Sequence, residues 1–324
     1  MSDVGSVLGE RRTLTNERVQ HLRKRLESPD VEASLGEHSC IYATGSVGRG
    51  ESSSHSDLDL FIVSQVGTAQ PDAVANSKCV VDRLAEVAKE LGYPPFSKEG
   101  EYLKAHPLND LIGHLGTRED DHTNVFTARM LLLLESRAVI HEPIYNRAIE
   151  AVVKTYWRDY AGNEKNFIPV FLTNDITRYW KVLCLSYEAH GDDSPEERRL
   201  RNYKLKHSRL LTCYSAILYL AWVLRARETV TPEDATAMTG LSPTERLEFI
   251  GRDPVFVPQA RRLLEMYAKF LETVDAPKAD LLIRFADSTY HATRRTEARA
   301  FGGAVFQLLI QLAEPTELLR FLLV

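Results

Sequence analysis

The spacing of apolar positions changes character near residue 125, and that change divides the chain. Before it, short apolar runs alternate with helical stretches. Residues 13–28 are highly charged, with Leu14, Val19, Leu22 and Leu26 near the three-and-four spacing of an amphipathic helix. The run Cys40-Ile41-Tyr42-Ala43-Thr44 predicts a first strand, and Leu58 to Val63 a second. Between them, residues 45–56 are rich in glycine and serine and read as a flexible loop. Residues 71–91 place Val74, Val81, Leu84, Val87 and Leu91 on one helical stripe, which Pro94-Pro95 terminates. Glu101 to His106 reads as a short third strand. This order predicts a mixed α/β domain, with a mixed sheet and flanking helices, over residues 1–124.

From residue 125 onward the pattern is helical. Met130-Leu131-Leu132-Leu133-Leu134 is unbroken by turn residues, and segments 144–160, 168–190, 196–227, 243–250, 257–273, 278–300 and 303–313 carry helical spacing or helix-forming composition. No strand is expected there. The expectation is an all-helical C-terminal domain over 125–324, with turn-rich breaks such as Gly191-Asp192-Asp193-Ser194-Pro195.

Composition sharpens this picture without redirecting it. Apolar residues make up 44% and charged residues 26% of the 324, enough for packed cores. A net charge of −5 removes any global positive field that would recruit nucleic acid or an anionic membrane. The four cysteines, Cys40, Cys79, Cys184 and Cys213, are scattered without a CxxC pair, which argues against a zinc site or disulfide framework. With no apolar signal core at the N-terminus and no apolar run of about 18 residues, the expectation is a cytoplasmic protein.

One stretch carries chemistry. Gly45-Ser46 is followed after ten residues by Asp57-Leu58-Asp59-Leu60. On a strand, side chains two apart share a face, so Asp57 and Asp59 are expected on the same side. Two close carboxylates repel unless a cation lies between them, and hard oxygen ligands suit Mg²⁺ or Mn²⁺. Gly45 permits close backbone approach to a phosphate, the Ser46 hydroxyl donates to a phosphate oxygen, and Arg49 adds a charge-assisted contact. The alternative is a solvated loop with two exposed strand-end charges.

The stretch ATGSVGRGESSSHSDLDLFIV resembles the signature of the DNA polymerase β-like nucleotidyltransferase superfamily, a Gly-Ser followed by Asp-x-Asp on the next strand. The resemblance implies nucleotide binding at Gly45 and Ser46, two divalent metal ions on Asp57 and Asp59, and a nucleoside triphosphate as donor. It also implies a third carboxylate on a neighbouring strand, for which Glu99, Glu101, Asp110, Asp120 and Asp121 are candidates and Glu101 is favoured. FTARMLLLLES and NDITRYWKVLCLSYE are similar to bacterial proteins near the GlnD-like uridylyltransferase branch. A small molecule such as an aminoglycoside, a protein side chain, a tRNA end and a second nucleotide all remain compatible as acceptor.

Other features have competing readings. Asn174 or Asp175 reads as a helix cap with an ion pair to Arg178, or Arg178, Tyr179 and Trp180 as a nucleotide contact. The basic run RRLRNYKLKHSR, residues 198–209, reads as a solvated helical face, or with Lys204, Lys206 and Arg209 against phosphates. Arg201, Asn202 and His207 fit the loose pattern of HEPN-type ribonucleases. Asp120-Asp121-His122 reads as a solvated turn and helix cap. A non-catalytic nucleotide sensor or an antitoxin-like module is the remaining class.

Overall fold

A computed structural model describes residues 4–65, 71–94, 96, 103, 105–189 and 194–323. Two compact units emerge, Leu8–Thr155 and Tyr156–Val324, the latter joined by the first residues through Val7. The first unit thus runs some thirty residues beyond the boundary that the change of periodicity marks near 125.

In the first unit α1 (Val4–Leu26) and α2 (Pro29–Leu35) lead into β1 (Ser39–Thr44) and the one-turn α3 (Gly45–Gly48). Then follow β2 (Asp59–Ser64), α4 (Pro71–Glu90), β3 (Ala105–Pro107), α5 (Leu108–Gly113), α6 (Arg118–His122), α7 (Val125–Leu134), β4 (Arg137–Ile140) and α8 (Glu142–Tyr156). The sheet order is β3-β2-β1-β4, with β1 antiparallel to β2 and β4, and β2 parallel to β3. This is the mixed sheet with flanking helices that the sequence predicts.

Both sheet faces are covered, which is why the strands read as near-continuous apolar runs. On one face Ile41, Ala43, Leu60 and Ile62 meet Leu22, Leu26, Leu84 and Val87 from α1 and α4. On the other, Tyr42 stacks on Phe61 at 5.7 Å between ring centroids, Phe61 on His106 at 6.0 Å, and Tyr42 tilts against Tyr145 at 5.9 Å.

β4 corrects the expectation that no strand occurs after residue 125. Arg137-Ala138-Val139-Ile140 follows the leucine-rich helix directly, so no turn glycine announces it. Pairing with β1, Ile41 opposite Ile140 and Ala43 opposite Arg137, makes it a strand. Of the expected third strand, β3 covers only Ala105–Pro107; Glu101 lies outside the described residues, and Leu103 is buried in the core.

The second unit is helical: α9 (Val170–Ala189), α10 (Pro195–Lys204), a π-turn (Leu205–Arg209), α11 (Leu210–Arg227), α12 (Pro232–Thr239), α13 (Pro243–Ile250), α14 (Val257–Thr273), α15 (Lys278–Ala286), α16 (Ser288–Ala313) and α17 (Leu318–Leu323). α11 is its axis, with Ala216, Ile217, Leu218, Leu220 and Ala221 all fully buried. The stretch Pro195–Arg227 is long and apolar enough for a membrane span, but two thirds of that window is buried inside this unit, as in a core helix. The single helix expected over 278–300 is broken at Asp287, whose side chain accepts from Tyr290 N at 2.6 Å and caps α16. α12, outside the helical segments expected from periodicity, starts at Thr231-Pro232-Glu233-Asp234, a capping box with proline at the first turn.

Candidate active site

β1 ends at Thr44 and the chain turns at Gly45, whose φ of +64 lies in the left-handed region. A Cβ there would stand 2.6 Å from Asp59 Oδ2, because Asp59 opens β2 opposite Thr44. The Gly-Ser turn therefore packs closely against the second aspartate, and any side chain at position 45 would have to displace the Asp59 carboxylate. Ser46 follows, half-buried, as the second residue of α3. Gly48 is fixed by packing: its Cβ would fall 1.9 Å from the Glu135 carbonyl oxygen.

The loop from 49 to 56 is braced, contrary to the flexible stretch expected. Glu51 N donates to Ser46 O at 2.9 Å, and Ser52 N donates to Thr15 Oγ1 at 2.9 Å. From α1, Arg11 donates to Ser52 O at 3.3 Å and Arg18 to Ser53 O. Glu51, Ser52 and Ser53 are buried as a result.

Exposure alternates from Asp57 through Leu60: the aspartates are exposed while Leu58 and Leu60 are 3% and 2% exposed. Leu58 and Leu60 belong to the core beneath the sheet, so Asp57 and Asp59 share the solvent side. Asp57 lies just before the strand, which starts at Asp59 and not at Leu58.

Arg49 is not placed for a phosphate. It is buried between two carboxylates, with Nε donating to Glu51 and Nη1 to Glu135, each at 2.5 Å. The triad ties the loop after α3 to the end of α7. Glu51 stands two positions from Arg49, but Glu135 is 86 positions away and has no local signal.

Among the described residues no group of three or more His, Cys, Asp or Glu side chains is arranged to hold a metal ion. Two exposed carboxylates are a donor set that fits Mg²⁺ all the same, since that ion keeps several waters and commonly binds through one or two carboxylates plus substrate phosphates. Asp120 is not available as a third ligand. It is fully buried and paired with Arg129 through two bonds of 2.8 and 2.7 Å, not in the solvated turn expected.

The helical unit rearranges the other candidates. Asp175 lies inside α9, which begins at Val170, so it is no cap; it accepts from Tyr156 Oη at 2.7 Å and faces Arg178 at 3.6 Å. Tyr179 is buried and unavailable to a nucleobase. The 198–209 run is not one solvated face: Leu200, Tyr203, Leu205 and His207 are buried and its cations fall into two separate recesses.

His207 is a core residue, which removes the ribonuclease reading. Its ring stacks between Phe270 at 4.7 Å and Phe301 at 4.9 Å, and Nδ1 donates to the Tyr203 carbonyl at 2.9 Å. Burial pulls its pKa from 6.5 down to about 4. A depressed histidine stabilises the fold above its unfolded pKa, and that stability is lost as pH falls, because the unfolded chain takes up the proton first. Lowering pH from 7 to 5 is expected to cost the helical unit about 2 kcal/mol through this group. Urea midpoints at the two pH values should show a smaller fall in His207→Phe; an equal fall would assign the loss elsewhere.

The mixed four-stranded sheet thus carries a glycine turn closed against an aspartate on the neighbouring strand. Residues 6–105, just under a third of the chain, match the sequence model of a family described as "Putative nucleotidyltransferase DUF294". The matched span holds the whole of the turn, the loop and β2, and it supports nucleotidyltransferase likeness in general without reaching the GlnD-like branch. No curated protein and no solved structure matches the chain.

Proposed function

We propose that the first unit catalyses metal-dependent transfer of a nucleoside monophosphate from an NTP to an acceptor hydroxyl or phosphate. The acceptor oxygen forms a bond to the α-phosphorus, the bond from that phosphorus to the bridging oxygen breaks, and pyrophosphate leaves. The observation that carries this reading is the contact of Gly45 with Asp59, which sets a phosphate-binding turn beside a carboxylate. Asp57 and Asp59 would hold divalent metal ions, which would supply charge neutralisation on the triphosphate and a lowered pKa for the acceptor oxygen. Gly45 and Ser46 orient the phosphates for in-line attack. Glu101 is the third carboxylate, on sequence grounds: it stands four residues before a strand that runs parallel to β2. Arg49 takes a positioning role through Glu51 and Glu135. The protein acts in the cytoplasm, where the thiols of Cys40, Cys184 and Cys213 stay reduced.

Purified protein incubated with each labelled NTP, Mg²⁺ and candidate acceptors (an aminoglycoside, a protein substrate, tRNA, a second nucleotide) should release pyrophosphate from at least one pairing. Saturable NTP binding without release for every acceptor would replace transfer by a nucleotide-sensing role. Gly45→Ala offers a second check. Left-handed backbone at a non-glycine residue costs about 1 kcal/mol, and the new methyl must displace Asp59. Turnover is therefore expected to fall by about a hundredfold with a small change in melting temperature. Wild-type turnover in this variant would detach the turn from the chemistry.

A further inference from the structure

A second recess, in the helical unit, has no part in the reaction proposed above. It lies among α9, α10, the π-turn, α15 and α16, and encloses about 250 Å³. Five cationic side chains line it, Arg198, Arg199, Lys206, Arg294 and Arg295, with His291 beside them and, among the described residues, no carboxylate in the lining. In a chain of net charge −5 that concentration is the exception.

Some of this charge is balanced locally. Arg294 pairs with Glu297 at 2.8 Å, and Arg198 approaches the exposed Glu188 at 3.5 Å. Arg199 donates to the carbonyls of Phe285 and Ala286, at 3.0 and 3.1 Å, near the end of α15. Lys206 and Arg295 make no ion pair among the described residues. The local field is strong enough that, after burial, Arg199 and Arg295 help push the His291 pKa down. Glu196 also interacts electrostatically with Arg199, but like charges left only partly balanced destabilise a protein unless an anion joins them.

The backbone favours the same reading. A single π-turn inside a helix is uncommon and frequent at functional sites. Here it sets Lys206 in the recess while the adjacent His207 is buried between Phe270 and Phe301. At the floor Tyr203 packs on Phe285 at 5.5 Å between ring centroids, and Tyr187 forms an aromatic wall with the Arg198 guanidinium 5.9 Å from its ring.

We infer that this recess binds a small phosphorylated ligand, its phosphate met by Arg199, Lys206 and Arg295 and its body lying against Tyr187. The enclosed volume lies just below the range typical of small-molecule pockets, about 300 Å³ and above, and suits one phosphate ester better than a polynucleotide backbone. The site needs no metal and no residue of the nucleotidyltransferase-like domain.

The test uses full-length protein carrying Asp57→Asn and Asp59→Asn in EDTA, so that the metal-dependent site is silent. Inorganic pyrophosphate and AMP are titrated by calorimetry at physiological salt. Saturable binding is expected for at least one, weakened about tenfold or more by adding Lys206→Gln and Arg295→Gln. The His291 imidazole resonances should shift on binding. Arg295 is exposed, so Arg295→Gln alone keeps the test valid should the pair of changes lower the melting temperature. Absence of binding by both probes, unchanged affinity in the variants, or a single-stranded RNA that binds here and is not displaced by pyrophosphate would each overturn the inference.

Discussion

Protein carrying Asp57→Asn and Asp59→Asn is expected to lose NTP-dependent pyrophosphate release by about a thousandfold or more, since metal-borne charge stabilisation contributes several kcal/mol to such transfers. Both side chains are exposed, so the melting temperature should change little. EDTA should have the same effect on the wild-type protein, and Mg²⁺ or Mn²⁺ should reverse it. The arrangement predicts unequal single variants. Asp59 is in contact with the Gly45 turn, whereas Asp57 precedes the strand, so Asp59→Asn is expected to be the more damaging. Full release by the double variant, measured with labelled NTP under saturating Mg²⁺, would exclude this site as the seat of transfer.

Arg129→Met is expected to destabilise the first unit by about 3–5 kcal/mol, the range found when one partner of a buried ion pair is removed. Arg129 and Asp120 are both fully buried, and Arg129 Nη1 also donates to the Leu111 carbonyl at 3.2 Å. The pair thereby locks α5, α6 and α7 together. Truncating Arg129 strands the Asp120 carboxylate in the core. Asp120→Leu combined with Arg129→Met should recover much of the loss, because the cost lies in the uncompensated charge and not in the absence of the pair. Urea unfolding of the single and double variants measures both; equal destabilisation of the two would show that shape, not charge, holds this corner.

The candidate site was largely legible because its parts are close in sequence. Gly45-Ser46 and Asp57-Leu58-Asp59 sit at the two ends of the loop that joins β1 to β2, and antiparallel pairing of the strands brings Thr44 opposite Asp59. The left-handed turn at Gly45 and the burial of Leu58 and Leu60 follow from the same local pattern. Arg49 is the exception, because its partner is distant in sequence. An arginine near a phosphate-binding turn looks like a ligand contact until its partner is known, and Glu135 reaches it from the end of a helix 86 positions later.

Asp120 and His207 sit in polar surroundings along the chain, yet in space one is enclosed with Arg129 and the other stacked between two phenylalanines. β4 acquires its strand identity from β1, since four residues have too little periodicity to declare it. The sequence by itself determined the helical periods, the glycine turn and the aspartate pair, because these depend on neighbours within a few residues. Only the tertiary structure decided which charges are struts, which histidine is core and where the cations of 198–209 gather, because a charged side chain's role is set by the partners that chain reversal brings to it.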